Sequence, residues 1–293
     1  MSVLYGKVRI NGGPGQTITI TTPTGLSKTI QTTGQDYTDV VLAGMEEYTL
    51  SNGIISETLI LNIRDFKEID MPTLETTSWQ RIQEIIQAGT FGQMFAVGDT
   101  KTFVMNNKTY TAEVVAINDG TGDAASWYPN KTVDFICEEL YETTYRYNAT
   151  NTNSGGFPSS EIKTTLNSTI YPLLPSDLRN VITAKSHSYQ AGSYSTSWSS
   201  SMVTSTDNLW LPTFYEIRGV TASAAPGETS SNNKAYTLAS KIKSLNGGTA
   251  SLWWLGSPRS AYSYTFWTVD TSGSTNGDNA IYARGVPICF RIG

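Results

Sequence analysis

Residues 252–293, at the C-terminal end, constrain the fold of this chain more than any other stretch. They open with the apolar block 252–255 (Leu-Trp-Trp-Leu) and close with the largely apolar block 286–292. Bulky aliphatic and aromatic side chains fit a packed, pleated surface, so both blocks are predicted to be buried strands. Residues 259–284 between them are rich in Ser, Thr, Tyr, Asn and Gly, which are too polar for a core. We therefore expect a polar display surface between two anchored strands.

The polar middle has the composition of a binding surface. Tyr gives large contact area at low entropic cost, and Ser and Asn give adaptable hydrogen bonds, which is why these residues dominate antibody binding loops. The Ser-rich segment 186–205 is expected to add two aromatic residues to the same surface. The predicted ligand-binding residues are Tyr262, Tyr264, Thr265, Trp267, Asp270, Asn276, Asp278, Asn279, Tyr282, Tyr194 and Trp198.

Composition excludes several classes of partner. Only 15% of the 293 residues are charged and the formal net charge is −5, whereas nucleic-acid binding needs a concentrated basic patch. The 39% of hydrophobic residues suffices for a packed interior. The sequence contains no run of 18 apolar residues, so no membrane insertion is expected, and the N-terminal residues do not have the pattern of a signal peptide.

Candidate catalytic and metal-binding residues are few. Cys137 and Cys289 lie in apolar contexts and are predicted to be buried free thiols rather than a disulfide. With two Cys and one His, a structural zinc site is excluded, and no cofactor is expected. Residues 118–123 (Asn-Asp-Gly-Thr-Gly-Asp) are interpreted as a turn, with calcium binding as the less favoured reading. His187 lies in a Ser/Tyr-rich segment without a recognisable nucleophile, and no carboxylate pair stands out, so the chain is predicted not to be an enzyme.

The N-terminal residues 1–66 are predicted to form a small all-β sandwich of the immunoglobulin-like kind. Short segments with alternating polarity, such as 8–10 and 17–20, indicate half-buried strands separated by turn residues. Further strands are expected at 27–31, 37–42, 47–50 and 57–63. Residues 67–75 are more charged and contain Pro72, so they are interpreted as a linker to a second domain, 76–293.

The second domain mixes helices and strands, which predicts an α+β fold. A helix capped by Thr77 and ended by Gly89 is expected to bury one face. A hairpin with its turn at Asn106-Asn107 and a strand at 132–141 follow. Helices are predicted to begin near 158 and 175, and a short helix is predicted at 236–245.

The two apolar blocks carry a resemblance to a known family. Trp253-Trp254-Leu255 followed by Ser257-Pro258, and then Gly285-Val286 followed by Phe290, resemble the C-terminal end of C-type-lectin-fold domains. These domains occur in phage and prophage proteins of gut bacteria, some of them variable proteins of diversity-generating retroelements, and the wider group includes formylglycine-generating enzymes. The resemblance runs from about residue 76 to the end and implies a C-type-lectin-like domain there. Many relatives have Arg where this chain has Gly256.

The resemblance implies a function in binding. It points to a phage tail-tip adhesin or a retroelement-diversified variable protein, located in the virion or produced by a prophage, whose partner is a bacterial cell-surface protein or glycan. A homotrimer is compatible with a tail protein, although no heptad repeat is present. Formylglycine-generating enzymes use closely placed cysteines, and Cys289 has no such neighbour, so that activity does not carry over.

One compositional detail bears on retroelement diversification. After Lys243 the chain contains no Lys, Glu, Gln or Met, the residues that adenine mutagenesis of Asn codons does not produce. Trp267 would then be a fixed position. A surface loop selected for low charge would have the same composition, so both interpretations stay open.

Two other functions remain as alternatives to binding. One is a hydrolase or oxidase with its site in the same groove, which would show a pH–rate profile governed by His187 or a carboxylate. The other is a structural virion subunit without a ligand, which would bind no cell envelope.

Overall fold

The structure, a computed structural model, describes residues 5–11, 16–32, 37–43, 46–52, 56–61, 66–70, 73–118, 131–193, 201–219, 228, 234–259 and 262–293. The fold is β-rich, with several small antiparallel sheets and short helices. The chain divides into two compact units. The first is Met1–Thr77 with Gln93–Phe95, and the second is Ser78–Gly92 with Ala96–Gly293.

The N-terminal unit consists of two sheets. Their strands are β1 (Tyr5–Asn11), β2 (Thr17–Thr21), β3 (Ser27–Gln31), β4 (Tyr37–Ala43), β5 (Glu46–Ser51), β6 (Ser56–Leu61) and β7 (Phe66–Asp70). In one sheet the strand order is β4-β1-β7, with β4 antiparallel and β7 parallel to β1. In the other sheet the order is β3-β2-β5-β6, and all neighbours are antiparallel.

A single apolar core joins the two sheets of this unit. Alternate residues of β1, β2 and β5 point to it, as the sequence pattern predicts, because side chains of a strand alternate between faces. The core residues are Val8, Ile10, Ile18, Ile20, Val40, Tyr48, Leu50 and Leu61. The strands predicted from alternation in this unit are therefore confirmed.

The predicted linker begins in the wrong place. Phe66–Asp70 is strand β7, which runs parallel to β1 with Lys7 opposite Phe66 and Asn11 opposite Asp70. The linker was predicted from the charged residues of this segment, but charge is tolerated on a strand at the edge of a sheet. Only residues after Asp70 are left as a connection to the helix that follows.

The second unit contains the remaining helices and strands. The helices are α1 (Trp79–Ala88), α2 (Phe91–Met94), whose last two residues count with the first unit, α3 (Glu161–Thr164), α4 (Ser176–Arg179) and α5 (Phe214–Arg218). The strands are β8 (Thr100–Met105), β9 (Lys108–Asn118), β10 (Thr132–Leu140), β11 (Tyr145–Arg146), β12 (Lys185–Gln190), β13 (Met202–Asp207), β14 (Trp253–Pro258), β15 (Thr265–Val269), β16 (Thr275–Asn279), β17 (Ala283–Arg284) and β18 (Pro287–Ile292). None of the described helices is long and apolar enough to cross a membrane.

Helix α1 follows the predicted pattern, with one correction. Trp79, Ile82, Ile85 and Ile86 are buried on one face, and Gly89 ends the helix with a φ of 76°. The N-cap is Ser78 rather than Thr77: the Ser78 hydroxyl accepts the Arg81 N–H, and Thr77 hydrogen-bonds back to the Thr73 carbonyl. Boundary residues are the least certain part of a helix prediction because adjacent Ser and Thr residues are both good caps.

A four-stranded antiparallel sheet, in the order β18-β10-β9-β8, holds the C-terminal strand. Phe135 of β10 stacks on Phe290 of β18 with ring centroids 5.2 Å apart, and the Trp79 ring meets both edge-on at 5.9 Å. The hairpin turn at Asn106 and Asn107 has positive φ at both residues, as short Asn-rich hairpin turns require. The two predicted features here, the hairpin and the strand at 132–141, are confirmed.

The helical segment from 157 to 173 changes type along its length. It runs from a 3₁₀ turn (Phe157–Ser159) through α3 to a π-helix (Thr165–Ile170) and a second 3₁₀ turn (Tyr171–Leu173). The predicted apolar face is confirmed, because Ile162, Leu166 and Ile170 are all fully buried. The second predicted helix in this region is the single turn α4.

The predicted helix at 236–245 is wrong. This segment has no helical hydrogen bonds and instead runs along the sheet. The Tyr236 N–H donates to the Glu216 carbonyl, the Thr237 N–H to the Val115 carbonyl, and the Ala239 N–H to the Glu113 carboxylate. These bonds to distant residues satisfy the backbone, so tertiary pairing overrides local helix propensity.

Gly256 illustrates how the second unit is packed. A side chain at this position would overlap the ring of Tyr189 and the carbonyl of Leu211. Tyr189 is fully buried and donates its hydroxyl to the Leu211 carbonyl at 3.1 Å. The absence of a side chain at 256 therefore lets β12 pack against β14.

Candidate functional site

The display surface rests on buried anchors at both ends of the C-terminal stretch. Trp253, Trp254, Val286 and Phe290 are all fully buried, and the Trp254 indole donates to the Tyr145 carbonyl at 2.9 Å. Between these anchors, β14, β15 and β16 form a three-stranded antiparallel sheet. The two ends are therefore buried as expected, but the middle is not all displayed, because every residue of β15 except the half-buried Trp267 is buried.

Four residues form a compact group at one end of this sheet, here called the aromatic patch: Arg259, Tyr262, Tyr264 and Trp267. Tyr262 is 41% and Tyr264 37% exposed, and their rings meet edge-on with centroids 5.9 Å apart. The Arg259 guanidinium lies 5.3 Å from the Tyr262 ring centroid and 5.1 Å from that of Trp267. Such cation–π contacts hold the rings in a defined arrangement while leaving part of their faces in water.

Arg259 was missed by the sequence analysis, and its position depends on a glycine in another strand. Trp267 of β15 lies opposite Gly277 of β16, and a side chain at position 277 would overlap the Arg259 Cδ. The missing side chain lets Arg259 lie across β16 beside the Trp267 ring. The Arg259 N–H also donates to the Thr265 carbonyl at 3.0 Å, which closes the loop between β14 and β15.

Trp267 connects the patch to the interior. It is half-buried, and its ring lies 4.6 Å from that of Phe214 at the start of α5. Its indole nitrogen is buried and has no hydrogen-bond partner among the described residues. Trp267 therefore supports the exposed tyrosines more than it is itself displayed.

Asn153 brings two separate loops together under the patch. Its side-chain amide donates to the carbonyls of Tyr262 (2.7 Å) and Thr265 (2.9 Å), and its side-chain oxygen accepts the Ser193 N–H at 2.8 Å. Asn153 is completely buried. This one side chain therefore ties Ser193 to the backbone of Tyr262 and Thr265. Tyr194 and Trp198 themselves lie outside the described residues.

The remaining predicted residues fall into two groups. Asn276 and Asp278 point away from Trp267, because Phe266 and Thr268, their partners in β15, lie on the opposite face of the strand. The Asp278 carboxylate accepts the Arg284 Nε–H at 2.6 Å, and the Arg284 guanidinium lies 5.5 Å from the ring of Tyr282, which is 46% exposed. The predicted surface is thus divided between the two faces of β16.

Three of the predicted residues have structural roles instead. Thr265 is only 6% exposed, so the prediction that it is displayed is wrong, although it lies on the same face of β15 as Trp267. The Asp270 carboxylate accepts the Ser272 hydroxyl and the backbone N–H groups of Ser272 and Ser274, which closes the turn between β15 and β16. These bonds, the Ser272 hydroxyl foremost, lower the pKa of Asp270. Asn279 is half-buried and pairs with Thr265 in the sheet.

A group of buried charges, here called the charge cluster, was also missed. It consists of Asp134, Lys185, Glu216, Arg291, His187 and Tyr236. The Lys185 ammonium donates to Asp134 (2.8 Å), Glu216 (2.6 Å) and the Tyr236 hydroxyl (2.8 Å). Arg291 donates to both oxygens of Asp134, at 2.6 and 3.0 Å. The cluster thereby ties β10, β12, α5 and β18 together.

Ionisation in the charge cluster is maintained by pairing. Burial opposes the charge on Asp134, but Arg291 and Lys185 outweigh it and hold the pKa of Asp134 well below its usual value. Burial likewise opposes the charge on Glu216, yet Lys185 and His187 lower the pKa of Glu216 to about 2. These carboxylates are therefore charged at neutral pH and fully compensated.

His187, which belongs to the Ser/Tyr-rich segment 186–205, is an interior residue on a strand. It is on β12, 1% exposed, with Nε2 3.2 Å from a Glu216 oxygen. Burial, followed by the nearby Lys185 charge, lowers the pKa of His187 to about 4, so the ring is neutral at pH 7. Because the Glu216 carboxylate only accepts, the Nε2 atom carries the proton. Such a ring has no access to a substrate at the surface.

The structure describes both cysteines but only the first residue of the candidate metal-binding segment. Cys137 and Cys289 are buried and free, as predicted, and burial raises the pKa of both thiols. Within the described ranges there is no cluster of three or more His, Cys, Asp or Glu side chains that could hold a metal ion. The alternative calcium-binding segment, 118–123, lies outside the described residues except for Asn118.

Comparison with known proteins gives one family. Residues 131–293 match a family described as "Domain of unknown function (DUF6273)". The match begins before β10 and includes both the charge cluster and the aromatic patch. Neither the curated proteins nor the solved structures contain a significant match.

Proposed function

The chain belongs to the DUF6273 family, and we propose that it is a ligand- or host-receptor-binding protein rather than an enzyme. The aromatic patch is the proposed contact surface; Asn276, on the other face of β16, and Tyr282 lie outside it. The observation that carries the proposal is the exposure of Tyr262 and Tyr264 within a C-terminal stretch whose two ends are fully buried. Exposed neighbouring aromatic rings contribute little to a core, whereas they are enriched where proteins meet partners.

The chemistry of the patch favours recognition of a sugar or a protein side chain. A Tyr face gives apolar area for stacking on a sugar ring, and its hydroxyl remains free to bond with a ligand hydroxyl. The Arg259 guanidinium has five N–H donors and accepts no bonds, so it suits carboxylate or carbonyl groups of a ligand. This combination supports a bacterial cell-surface protein or glycan as the partner and gives no support for nucleic acid.

The proposed architecture is a C-type-lectin-like domain, 76–293, preceded by an immunoglobulin-like module. The pairing of the C-terminal strand β18 with β10 in a central sheet, and the polar hairpin held before it, support this fold. We further propose that the protein is a phage tail-tip adhesin or a retroelement-diversified variable protein, carried in a virion or produced by a prophage. A homotrimer is the assembly proposed for a tail-tip role.

The direct test is binding of the purified full chain to a panel of gut bacterial strains and a glycan array. We expect saturable binding to a subset of strains or glycans, lost in Tyr262→Ala/Tyr264→Ala. The matched control is Tyr37→Ala, which removes an exposed Tyr (46%) from the N-terminal unit. Binding to no strain and no glycan would favour a structural subunit. If Tyr37→Ala lost as much binding as Tyr262→Ala/Tyr264→Ala, the aromatic patch would not be the contact surface.

Diversification has a separate test in the DNA. A near-copy of the segment encoding 259–284, with additional adenines, is expected close to the gene if a retroelement acts on it. Its absence would leave a binding surface that is not diversified by this route.

A further inference from the structure

A small cleft in the second unit has an unusual lining. Its volume is about 200 Å³, and it lies between the sheet and the segment that replaces the predicted helix at 236–245. The lining residues are Glu113, Glu138, Ala239, Ser240, Ile242 and Lys243. Two of them are ionisable side chains that are almost completely buried: Glu113, 1% exposed, and Lys243, 2% exposed.

Glu113 retains an unused acceptor. One carboxylate oxygen accepts the Ala239 N–H at 2.6 Å, and within the described part of the chain the other oxygen accepts no bond. Burial is the main cause that raises the pKa of Glu113. A buried carboxylate with a free oxygen is stabilised when a donor, above all a cationic one, reaches it.

Lys243 retains an unused donor. Its ammonium donates to the Cys137 carbonyl at 2.6 Å and, weakly, to the Glu138 carbonyl at 3.5 Å. An ammonium has three N–H groups, so one is left without an acceptor among the described residues. Burial is the main cause that lowers the pKa of Lys243.

These two opposite charges do not pair with each other. Among the residues that the structure describes, Glu113 and Lys243 form no ion pair, although both line the same cleft. The charge cluster shows the usual solution for buried charges in this fold, in which each ammonium or guanidinium contacts a carboxylate directly. In the cleft, Glu113 and Lys243 act on each other's charge without a direct ion pair, and both line the same space.

We propose that this cleft binds a small zwitterion, of the size of a short amino acid, with its ammonium on Glu113 and its carboxylate on Lys243. The volume corresponds to about six or seven water molecules at about 30 Å³ each, which is enough for such a molecule and too little for a sugar chain. Glu138, exposed at the cleft, adds a second negative charge. Two carboxylates and one ammonium favour a ligand that carries both signs over a simple anion.

The test titrates the full chain with glycine, β-alanine and γ-aminobutyrate by calorimetry. At least one of the three is expected to bind saturably, and acetate and methylamine, which each carry one charge, at least about tenfold more weakly. Glu113→Gln and Lys243→Met are each expected to weaken binding at least about tenfold, and the matched control Lys241→Met to leave it unchanged. No binding by any of the three amino acids, or binding as tight as that of the wild type in both cleft variants, would overturn the proposal and leave a water-filled cleft.

A second measurement does not depend on the variants folding. In the wild-type chain, the amide resonances of Ala239 and Lys243 are expected to shift on titration with the tightest of the three probes. The Ala239 N–H donates to Glu113, so it reports directly on that carboxylate. Shifts confined to other parts of the chain would contradict the assignment of the ligand to this cleft.

Discussion

The charge cluster and the aromatic patch use similar side chains for opposite purposes. Each combines cations with aromatic rings: Lys185 lies 5.0 Å from the ring centroid of Trp210, and Arg259 lies 5.1 Å from that of Trp267. In the cluster the cations meet buried carboxylates, and the rings are sealed from water. In the patch the Arg259 guanidinium lies against two rings and Gly277 and pairs with no carboxylate among the described residues, and two tyrosines face the solvent.

This difference separates residues that stabilise the fold from residues that can bind a partner. A buried ion pair costs desolvation energy that its own partners must offset, so removing one member leaves an uncompensated charge in the interior. An exposed ring loses little when it is truncated, because water already covers part of it. We therefore expect substitutions in the cluster to change stability and substitutions in the patch to change binding.

The largest expected effect is on the cluster. Asp134→Ala removes the carboxylate that Lys185 and Arg291 share, and it is expected to lower the free energy of unfolding by about 3–5 kcal/mol. Chemical denaturation of the full chain measures this. The matched control is Glu161→Ala, which breaks an exposed pair with Arg146 and is expected to cost under about 1 kcal/mol. Equal effects of the two substitutions would refute the distinction.

The pH dependence of stability is the next expected effect. The pKa of His187 is lowered from 6.5 in the unfolded chain to about 4 in the folded one, so the unfolded state binds more protons between these values. The free energy of unfolding therefore falls as the pH drops from 6.5 towards 4, by at most about 1.4 kcal/mol per pH unit from this residue. His187→Gln should reduce that slope.

The titration of Glu228 changes the free energy of unfolding in the opposite direction with pH. The wild type and the His187→Gln variant are therefore compared by the difference between their stability curves. It is fully buried and accepts the Ser257 hydroxyl, and burial raises the pKa of Glu228 to about 8. Its contribution to stability is present below pH 4.5 and is lost as the pH rises through 8. Because this effect is common to both proteins, subtracting the His187→Gln curve from the wild-type curve isolates His187. A difference that does not vary between pH 4 and 6.5 would contradict the assignment.

A smaller effect is expected at the support of the patch. Asn153→Ala removes three hydrogen bonds and leaves the buried Tyr262 and Thr265 carbonyls and the Ser193 N–H without this partner. The expected loss is about 1–3 kcal/mol in the free energy of unfolding, together with weaker ligand binding. The comparison variant is Asn167→Ala, whose amide bonds to Leu209 away from the patch. Equal loss of binding in both would mean that only general stability matters.

Local features of the fold could be predicted from the sequence, because local signals determine them. The alternation in β2 and the helical spacing of Trp79, Ile82 and Ile86 both depend on neighbouring residues, and both are confirmed. The helix predicted at 236–245 failed because its backbone bonds to Glu216 and Val115, which are distant in sequence. A local sequence pattern does not indicate hydrogen-bond partners that only folding brings close together.

The candidate site shows the same limit. Tyr262 and Tyr264 could be identified from the polar segment between apolar blocks, but the contribution of Arg259 depends on the missing side chain at Gly277 in another strand. The charge cluster had only a weak signal, a charged residue between apolar neighbours, as in Val133-Asp134-Phe135. Its four charges come from positions 134, 185, 216 and 291, which nothing in the sequence connects.

The central claim is that the aromatic patch binds a partner and the buried charge cluster stabilises the fold. The double variant Tyr262→Ala/Tyr264→Ala tests it most directly. Thermal unfolding and binding to a responsive bacterial strain are measured on the same preparation. The account predicts a change of under about 0.5 kcal/mol in the free energy of unfolding and at least about tenfold weaker binding. A large loss of stability, or binding equal to that of the wild type, would contradict it.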